Sequence, residues 1–156
     1  MVVYFLRHAD AEPRIVNDHE RKLTPKGLEQ AEKAGKFLAR CGLLPEIILT
    51  SPVVRALQTA KIVAEKLGET ELSEVDWLAC GMTAESCLME LKACQGKASV
   101  LLVGHEPDFS ETIAAMLGLK DPAAIKVRKA SLTGVELLDF QAGQGQLHLL
   151  VPARLM

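Results

Sequence analysis

Short apolar runs alternate with helical segments along most of this chain. The runs VVYFL, EIILT and ASVLLVG are largely apolar and rich in β-branched residues, a pattern typical of strands covered on both faces. Segments with helical spacing follow them, at residues 23–42, 51–68, 83–95 and 109–117. Strands that alternate with helices in this way predict an α/β fold, a three-layer α/β/α sandwich around a mostly parallel sheet.

The C-terminal part of the chain carries a different pattern. Residues 127–138 and the run QLHLLV are predicted to form two strands joined through the glycine-containing turn QAGQG, which adds antiparallel pairing to the sheet. A further short strand is predicted at residues 71–75. No composition break or internal repeat divides the 156 residues, so the sequence predicts a single domain over residues 1–156.

Capping residues predict where two of the helices begin and end. Thr24 is a good N-cap, Pro25 suits the first helical position, and Gly42 can terminate the helix. In the second helix, Ser51 is the predicted cap and Pro52 the first helical residue. The inward stripe of the first helix is predicted to consist of Leu28, Ala31, Gly35 and Leu38.

Composition excludes several classes of partner. The formal net charge is −2 and the pI is near 6.1, so the sequence carries no electrostatic signature of binding to nucleic acid or an anionic membrane. No stretch is long and apolar enough to span a bilayer, and the apolar start lacks the basic region and cleavage site of a signal peptide. We therefore expect a cytoplasmic protein, whose anionic ligands are held by a few placed groups.

The four cysteines form neither a CxxC pair nor a Cys/His cluster with zinc spacing. We interpret Cys41, Cys80, Cys87 and Cys94 as small buried hydrophobic residues. The absence of a disulfide framework agrees with a reducing compartment.

Arginines and histidines follow the predicted strands at the point where each strand ends. Arg7 and His8 come after the first apolar run, Ser51 and the helix carrying Arg55 after the second, and His105 after ASVLLVG. In an open α/β sheet, ligands bind outside the carboxyl ends of the strands. We therefore expect two guanidinium groups and two imidazoles to meet at one edge of the sheet.

This set of side chains suits a phosphoryl group. Arginine presents a planar fork that matches phosphate oxygens, and two arginines can complement the charge of a phosphoryl transition state. A histidine between them can attack phosphorus as a nucleophile or donate a hydrogen bond.

Each of these residues also has a structural interpretation. A single histidine after a strand is more often a structural group than a catalyst, and Arg55 alone would be a solvated helix charge. His19, in a polar loop, and His148, in an apolar alternation, are interpreted as structural. The functional hypothesis rests on the coincidence of Arg7, His8, Arg55 and His105 on one predicted edge.

Four sequence blocks resemble the histidine phosphatase superfamily, the relatives of the cofactor-dependent phosphoglycerate mutases. LRHADAE, LTPKGLEQA, TSPVVRALQTA and LLVGHEPDF occur in the order of that family and cover residues 3 to about 110. The shortness of the chain is similar to that of the compact branch, the SixA-like phosphohistidine phosphatases.

The resemblance implies a role for each residue that matches a family motif. His8 corresponds to the histidine that becomes phosphorylated, and Arg7 and Arg55 to the arginines that clamp phosphate. His105 corresponds to the second histidine, which stabilises the transition state. The family pattern implies no metal and no cofactor.

The sequence departs from the family pattern at two points. Ala9 replaces the usual glycine of the Arg-His-Gly motif, and the segment VDWLACGMTAES, with Asp76 and Glu85, is short and lacks the general-acid motif of larger members. The proton donor therefore stays open among Asp10, Glu12, Asp18 and Glu106.

The missing acid favours a substrate whose leaving group is good. Imidazole leaves a phosphoramidate more readily than an alkoxide leaves an ester, so the sequence predicts a metal-independent phosphatase of phosphohistidine. The predicted partner is a signalling protein such as a histidine-containing transfer domain, and neither nucleic acid nor a membrane. A small phosphorylated metabolite is the alternative substrate, and a non-catalytic phosphoryl-binding module the alternative function.

A basic cluster precedes the C-terminal strands, at Lys120, Lys126, Arg128 and Lys129. Its structural interpretation is a solvated face, and its functional interpretation is a surface that guides an acidic partner to the site.

Overall fold

The computed structural model describes residues 1–13, 17–68 and 70–156. Its centre is a six-stranded sheet in the order β3-β2-β4-β1-β5-β6. The strands are β1 (Val2–Arg7), β2 (Ile47–Thr50), β3 (Leu72–Glu74), β4 (Ser99–Gly104), β5 (Leu132–Leu137) and β6 (Gly145–Val151).

The first four strands are parallel, and the register of their pairing aligns their carboxyl ends. Arg7, the last residue of β1, lies opposite Gly104, the last residue of β4, and Thr50 at the end of β2 lies opposite Val103. The residues that follow these strands therefore emerge at the same edge of the sheet. β5 pairs antiparallel with β1, and β6 pairs antiparallel with β5, as the sequence predicts.

Four helices cover the two faces of the sheet: α1 (Pro25–Arg40), α2 (Val54–Lys66), α3 (Ala84–Leu91) and α4 (Asp108–Met116). α1 and α2 pack on one face, where Leu38 and Val63 join a core with Leu6 and Leu101. α3 and α4 pack on the other face, over Phe5 and its neighbours. Because both faces are covered, the central strands β1 and β4 are apolar and buried over most of their length. The predicted three-layer α/β fold is confirmed.

Three local predictions are wrong. Ser51 does not cap α2, which begins at Val54, because its hydroxyl accepts instead from the Val53 amide and contacts His105. Leu28 is 44% exposed, and Gly27 takes its place on the buried side of α1. Residues 127–131 form a turn before β5 rather than a strand, with Ala130 at a positive φ of 53°.

Gly27 explains how α1 comes close to the edge where the site lies. A Cβ on this residue would sit 1.9 Å from the carbonyl oxygen of Asp10, so only glycine fits. At the same helix start, Thr24 caps α1 by accepting from the Gly27 amide, as predicted. The segment after His8 is thereby packed against the first turn of α1.

The cysteines differ in their surroundings. Cys87 and Cys94 are buried, as predicted, whereas Cys41 and Cys80 are exposed, so the prediction is wrong for those two. Within the described residues, none of the helices is both long and apolar enough to cross a bilayer.

Candidate active site

The four residues singled out at the strand ends come together. Arg55 lies between the two histidines: its Nε is 3.2 Å from Nε2 of His8, and its Nη2 is 3.4 Å from Nδ1 of His105. The two imidazole rings have centroids 5.4 Å apart. All three side chains are buried, so their positions are set by packing and hydrogen bonds.

His8 is held as a neutral imidazole with a defined tautomer. Its Nδ1 is 2.8 Å from the carbonyl oxygen of Ala9, which can only accept, so Nδ1 carries the proton and Nε2 keeps its lone pair. Burial lowers the pKa of His8 to about 3, and the positive charges of Arg55 and Arg7 act in the same direction. The Ala9 amide donates to Thr59 Oγ1, which fixes the carbonyl that orients the ring.

Arg55 is oriented from the opposite side by the loop before α1. Its Nη1 donates to the Asp18 carbonyl at 2.8 Å, and its Nη2 is 3.2 Å from the Asp18 carboxylate. The same carboxylate pairs with Arg21 at 2.7 Å. This loop thereby holds one end of the guanidinium while the other end faces the two histidines.

Ser51 orients His105. Its hydroxyl is 2.8 Å from Nε2 of His105, and Nδ1 faces the Arg55 guanidinium, which can only donate. Nδ1 is therefore the acceptor, and Nε2 carries the proton that is donated to Ser51. Burial, followed by the charge of Arg55, lowers the pKa of His105 to about 4.

Arg7 completes the cationic set. Its Nη1 donates to the carbonyl of Val127 at 3.0 Å, which fixes the guanidinium against the turn before β5. Burial lowers its pKa, and the negative charge of Glu106 opposes that effect. Among the described residues, its Nε is one of four buried side-chain polar atoms with no hydrogen-bond partner.

Three of the four candidate proton donors are engaged as carboxylates or lie at the surface. Asp10 is 2.6 Å from Lys129 and accepts from the Thr24 hydroxyl, and the hydrogen bond from Lys129 lowers its pKa. Asp18 is ion-paired with Arg55 and Arg21. Glu12 is a surface residue that accepts from the Lys22 amide.

Glu106 has a different environment. One oxygen accepts from the Ser110 hydroxyl at 2.7 Å, whereas the other, Oε1, is buried without a partner among the described residues. Burial raises the pKa of this carboxyl, although Ser110 and Arg7 oppose the rise. Of the four candidates, Glu106 is the one whose environment favours the protonated form.

Sequence reasoning missed two residues that organise the site. The sequence predicts Ser51 as a helix cap, whereas the structure places its hydroxyl against His105, the residue that follows the neighbouring strand β4. The Asp108 carboxylate, in the first turn of α4, accepts from the amides of Gly81 and Met82 at 2.8 and 3.2 Å. It holds the loop that places Cys80 Sγ 3.9 Å from Arg55.

The remaining two histidines lie outside this constellation. His148, on β6, pairs with Glu136 at 2.9 Å on the protein surface. His19 belongs to the loop that holds Arg55 and contributes a small charge effect at His105. In the part of the chain that the structure describes, no three His, Cys, Asp or Glu residues group closely enough to bind a metal ion.

The arrangement is chemically equipped for phosphoryl transfer. It offers an unprotonated imidazole nitrogen, two guanidinium groups and a second imidazole at one edge of the sheet, with the side chains of His8, Arg55 and His105 buried. Such groups can stabilise charge on phosphoryl oxygens without reorganising during the reaction.

Comparison with known proteins agrees with this chemistry. The model of the histidine phosphatase superfamily (branch 1) matches residues 3–81. The phosphohistidine phosphatase SixA of Escherichia coli K12 is 31% identical over 119 residues, which cover 74% of each chain.

Solved structures show the same fold over nearly the whole chain. A structure of the protein histidine phosphatase SixA complexed with tungstate is 25% identical, with a TM-score of 0.88 over 99% of this chain and 98% of the other. A phosphoserine phosphatase from Entamoeba histolytica is 17% identical, with a TM-score of 0.76 over 98% of both chains, and shares the fold. This chain therefore belongs to the histidine phosphatase superfamily and is a SixA-like phosphatase.

Proposed function

We propose that His8 is the nucleophile of a phosphatase that removes phosphate from a phosphohistidine side chain in another protein. In the first step, Nε2 of His8 forms a bond to phosphorus as the bond between phosphorus and the leaving nitrogen breaks. In the second step, water attacks phosphorus, the bond to Nε2 breaks, and inorganic phosphate leaves. The observation that carries this proposal is the bond from Nδ1 to Ala9, which leaves Nε2 unprotonated and facing Arg55.

The roles of the other three residues follow from their positions. Arg55 and Arg7 would bind phosphoryl oxygens, because Arg55 contacts both His8 and His105 and the Nε of Arg7 is buried without a hydrogen-bond partner among the described residues. His105 would donate a hydrogen bond from Nδ1 when a bound oxyanion raises its pKa and the ring takes up a proton from solvent, while Nε2 keeps its bond to Ser51.

We propose Glu106 as the proton donor to the leaving group. Its raised pKa and its unpartnered Oε1 suit an acid that is protonated when the substrate binds, and its charge interaction with Arg7 places it beside the phosphate clamp. The carboxyl would give its proton to the departing nitrogen or oxygen and recover one from the attacking water.

Two arguments support phosphohistidine as the substrate. Imidazole is a better leaving group than an alkoxide, so the site needs less acid catalysis for a phosphoramidate than for an alkyl ester. The E. coli relative is itself described as a phosphohistidine phosphatase.

The substrate assignment is tested by comparing kcat/KM, without added metal, for a phosphorylated histidine-containing transfer domain, phosphoserine and a sugar phosphate. We expect the phosphohistidine protein to be hydrolysed at least tenfold faster, and His8→Ala to abolish turnover of every substrate. A faster reaction with a small phosphate ester would replace the substrate assignment with the metabolite alternative. Tight phosphate binding with no turnover of any compound would indicate a binding module.

The role of Glu106 is tested with substrates whose leaving groups differ. Glu106→Gln should slow an alkyl phosphate about 10²-fold and p-nitrophenyl phosphate, which needs no acid, only slightly. Glu111→Gln, which changes an exposed acidic residue in the first turn of α4, is the matched control. Equal losses for both substrates would exclude Glu106 as the proton donor.

A further inference from the structure

We propose that a cleft beside the phosphoryl site binds the acidic surface of the protein that carries the phosphohistidine. This inference rests on the proposed function and adds the chemistry of the partner. Five cationic residues outside the catalytic set line this cleft and a second cleft that adjoins it, and we call them the basic strip: Lys26, Lys33, Arg128, Lys129 and Arg154.

The cleft borders one residue of the proposed phosphoryl site. Its volume is about 380 Å³, and Arg7 forms part of its wall together with Lys26, Arg128, Lys129 and Arg154. Because Arg7 is also proposed to bind the phosphoryl group, a partner lying in this cleft would be beside the phosphoryl site.

The charge of the cleft contrasts with that of the chain. The protein carries a formal net charge of −2, yet five of the nine residues lining the cleft are cationic, and Asp10 is the one acidic residue among those described. Asp10 is already paired with Lys129 at 2.6 Å. The remaining cations have no comparable carboxylate in the cleft wall, so its surface attracts anions.

The strip is anchored to the catalytic centre on both sides. Arg128 and Lys129 lie in the turn before β5, and two hydrogen bonds join this turn to Arg7. The Arg7 guanidinium donates to the Val127 carbonyl, and the Ala130 amide donates to the Arg7 carbonyl. On the other side, the Asp10 amide donates to Gln30 of α1. The distance between the strip and the phosphoryl site is therefore set by hydrogen bonds.

The extent of the strip favours a protein over a metabolite. A second cleft of about 310 Å³ adjoins the first, and Lys26, Lys33 and Arg154 line it together with one acidic residue, Glu29. Lys26 and Lys33 are seven residues apart on one side of α1, which is about 10 Å along the helix. A single small anion would contact only part of this surface, whereas the carboxylates on a protein face would cover it.

The exposure of these side chains determines what they contribute. Lys26, Lys33, Arg128 and Arg154 are exposed, so they remain solvated and screened by salt. Charges of this kind accelerate the association of oppositely charged surfaces more than they strengthen the final complex. The strip should therefore change kcat/KM for an acidic protein substrate and leave the chemical step unchanged.

The test uses two synthetic phosphohistidine peptides, one flanked by four aspartates and the other by four serines, and free phosphoimidazole. In Lys26→Glu/Lys33→Glu/Arg154→Glu, kcat/KM for the aspartate peptide at low salt should fall roughly tenfold or more. The serine peptide and phosphoimidazole should change less than twofold. Raising the salt concentration should erase the preference of the wild-type protein for the aspartate peptide.

The matched control has the same change of net charge on other surfaces. Lys61 lies on α2, Lys92 directly follows α3, and Lys97 precedes β4. In the control variant Lys61→Glu/Lys92→Glu/Lys97→Glu, kcat/KM for the aspartate peptide should stay within about twofold of the wild-type value. Equal losses of kcat/KM for the aspartate peptide in both triple variants would overturn the docking proposal, because the change in net charge alone would explain them. A larger effect of the strip variant on a small bisphosphorylated compound than on the peptide would overturn it in favour of a metabolite subsite.

The two proposals fail in different ways. If the strip variant and the wild type hydrolyse both peptides alike, docking is wrong and the phosphatase assignment is unaffected. If neither peptide nor phosphoimidazole is hydrolysed while phosphoserine is, the phosphohistidine function itself is wrong.

Discussion

The phosphoryl site and the basic strip are both cationic, but their charges are held in opposite ways. In the phosphoryl site, Arg55 and His105 are 5% and 2% exposed and bonded to protein groups. In the strip, Lys26, Lys33 and Arg154 are exposed. Arg7 links the two regions, because it also lines the cleft on which the strip lies.

The difference separates chemistry from recognition. Buried groups in fixed positions stabilise a transition state because they need no reorganisation, and salt screens them little. Exposed charges act over longer distances, tolerate many partner shapes and weaken with salt. A substitution in the first region should therefore affect every substrate, whereas one in the second should affect acidic proteins alone.

The largest effect is expected for Arg55→Lys. An ammonium group cannot contact Asp18, His8 and His105 together, so kcat/KM should fall about 10²- to 10³-fold for small and protein substrates alike. Arg40→Lys, at the exposed end of α1, is the control and should behave as wild type. A loss of kcat/KM for protein substrates alone would show that Arg55 contributes to partner recognition and not to the chemical step.

A smaller effect is expected for Ser51→Ala. Without the hydroxyl, His105 loses the partner of Nε2, and kcat should fall roughly tenfold with little change in KM. Ser51→Thr keeps the hydroxyl and should recover most of the activity. Unfolding midpoints of all three proteins check for a purely structural loss, which would lower stability in Ser51→Ala and leave kcat unchanged.

The burial of the phosphoryl site can also be tested without any substitution, through the pKa values of its two histidines. Because burial lowers the pKa of His8 to about 3 and of His105 to about 4, neither imidazole should titrate between pH 5 and 8 in NMR spectra of the free protein. Binding of tungstate or phosphate should raise the pKa of His105. Titration of either ring near 6.5 in the free protein would contradict the buried, cationic description of the site.

The same shifts set the direction of acid sensitivity. Below the ordinary histidine pKa of about 6.5, His8 and His105 become protonated in the unfolded chain but stay neutral in the folded protein. These two groups therefore make the folded state less stable as the pH falls from about 6.5 toward their folded pKa values of about 4 and 3. Urea unfolding at pH 7 and pH 5 measures this loss.

The sequence predicted the parts of the fold and site that depend on local pattern. Apolar runs predicted the parallel strands, and residues at their carboxyl ends predicted the meeting of Arg7, His8, Arg55 and His105, because parallel strands place those ends at one edge. The Thr24 cap and the terminating Gly42 were also confirmed, since both act within a few residues of themselves.

The parts that failed depend on contacts distant in sequence. Ser51 bonds a histidine 54 positions away, so a local capping rule could not assign it. Glu106 differs from Asp10 in burial and in lacking a lysine partner, which composition does not encode. The strip unites residues from α1, the turn before β5 and the C-terminus, and only Arg128 and Lys129 of the predicted basic cluster line its first cleft.

The most direct test of the central claim is to trap the phosphorylated enzyme. Rapid quenching at alkaline pH, followed by mass spectrometry, should find one phosphate on His8 during turnover, stable in base and lost in acid. His8→Ala should show none, and Glu106→Gln should still form it with p-nitrophenyl phosphate. Turnover at the wild-type rate with no phosphate on His8, or phosphate on another residue, would contradict the account.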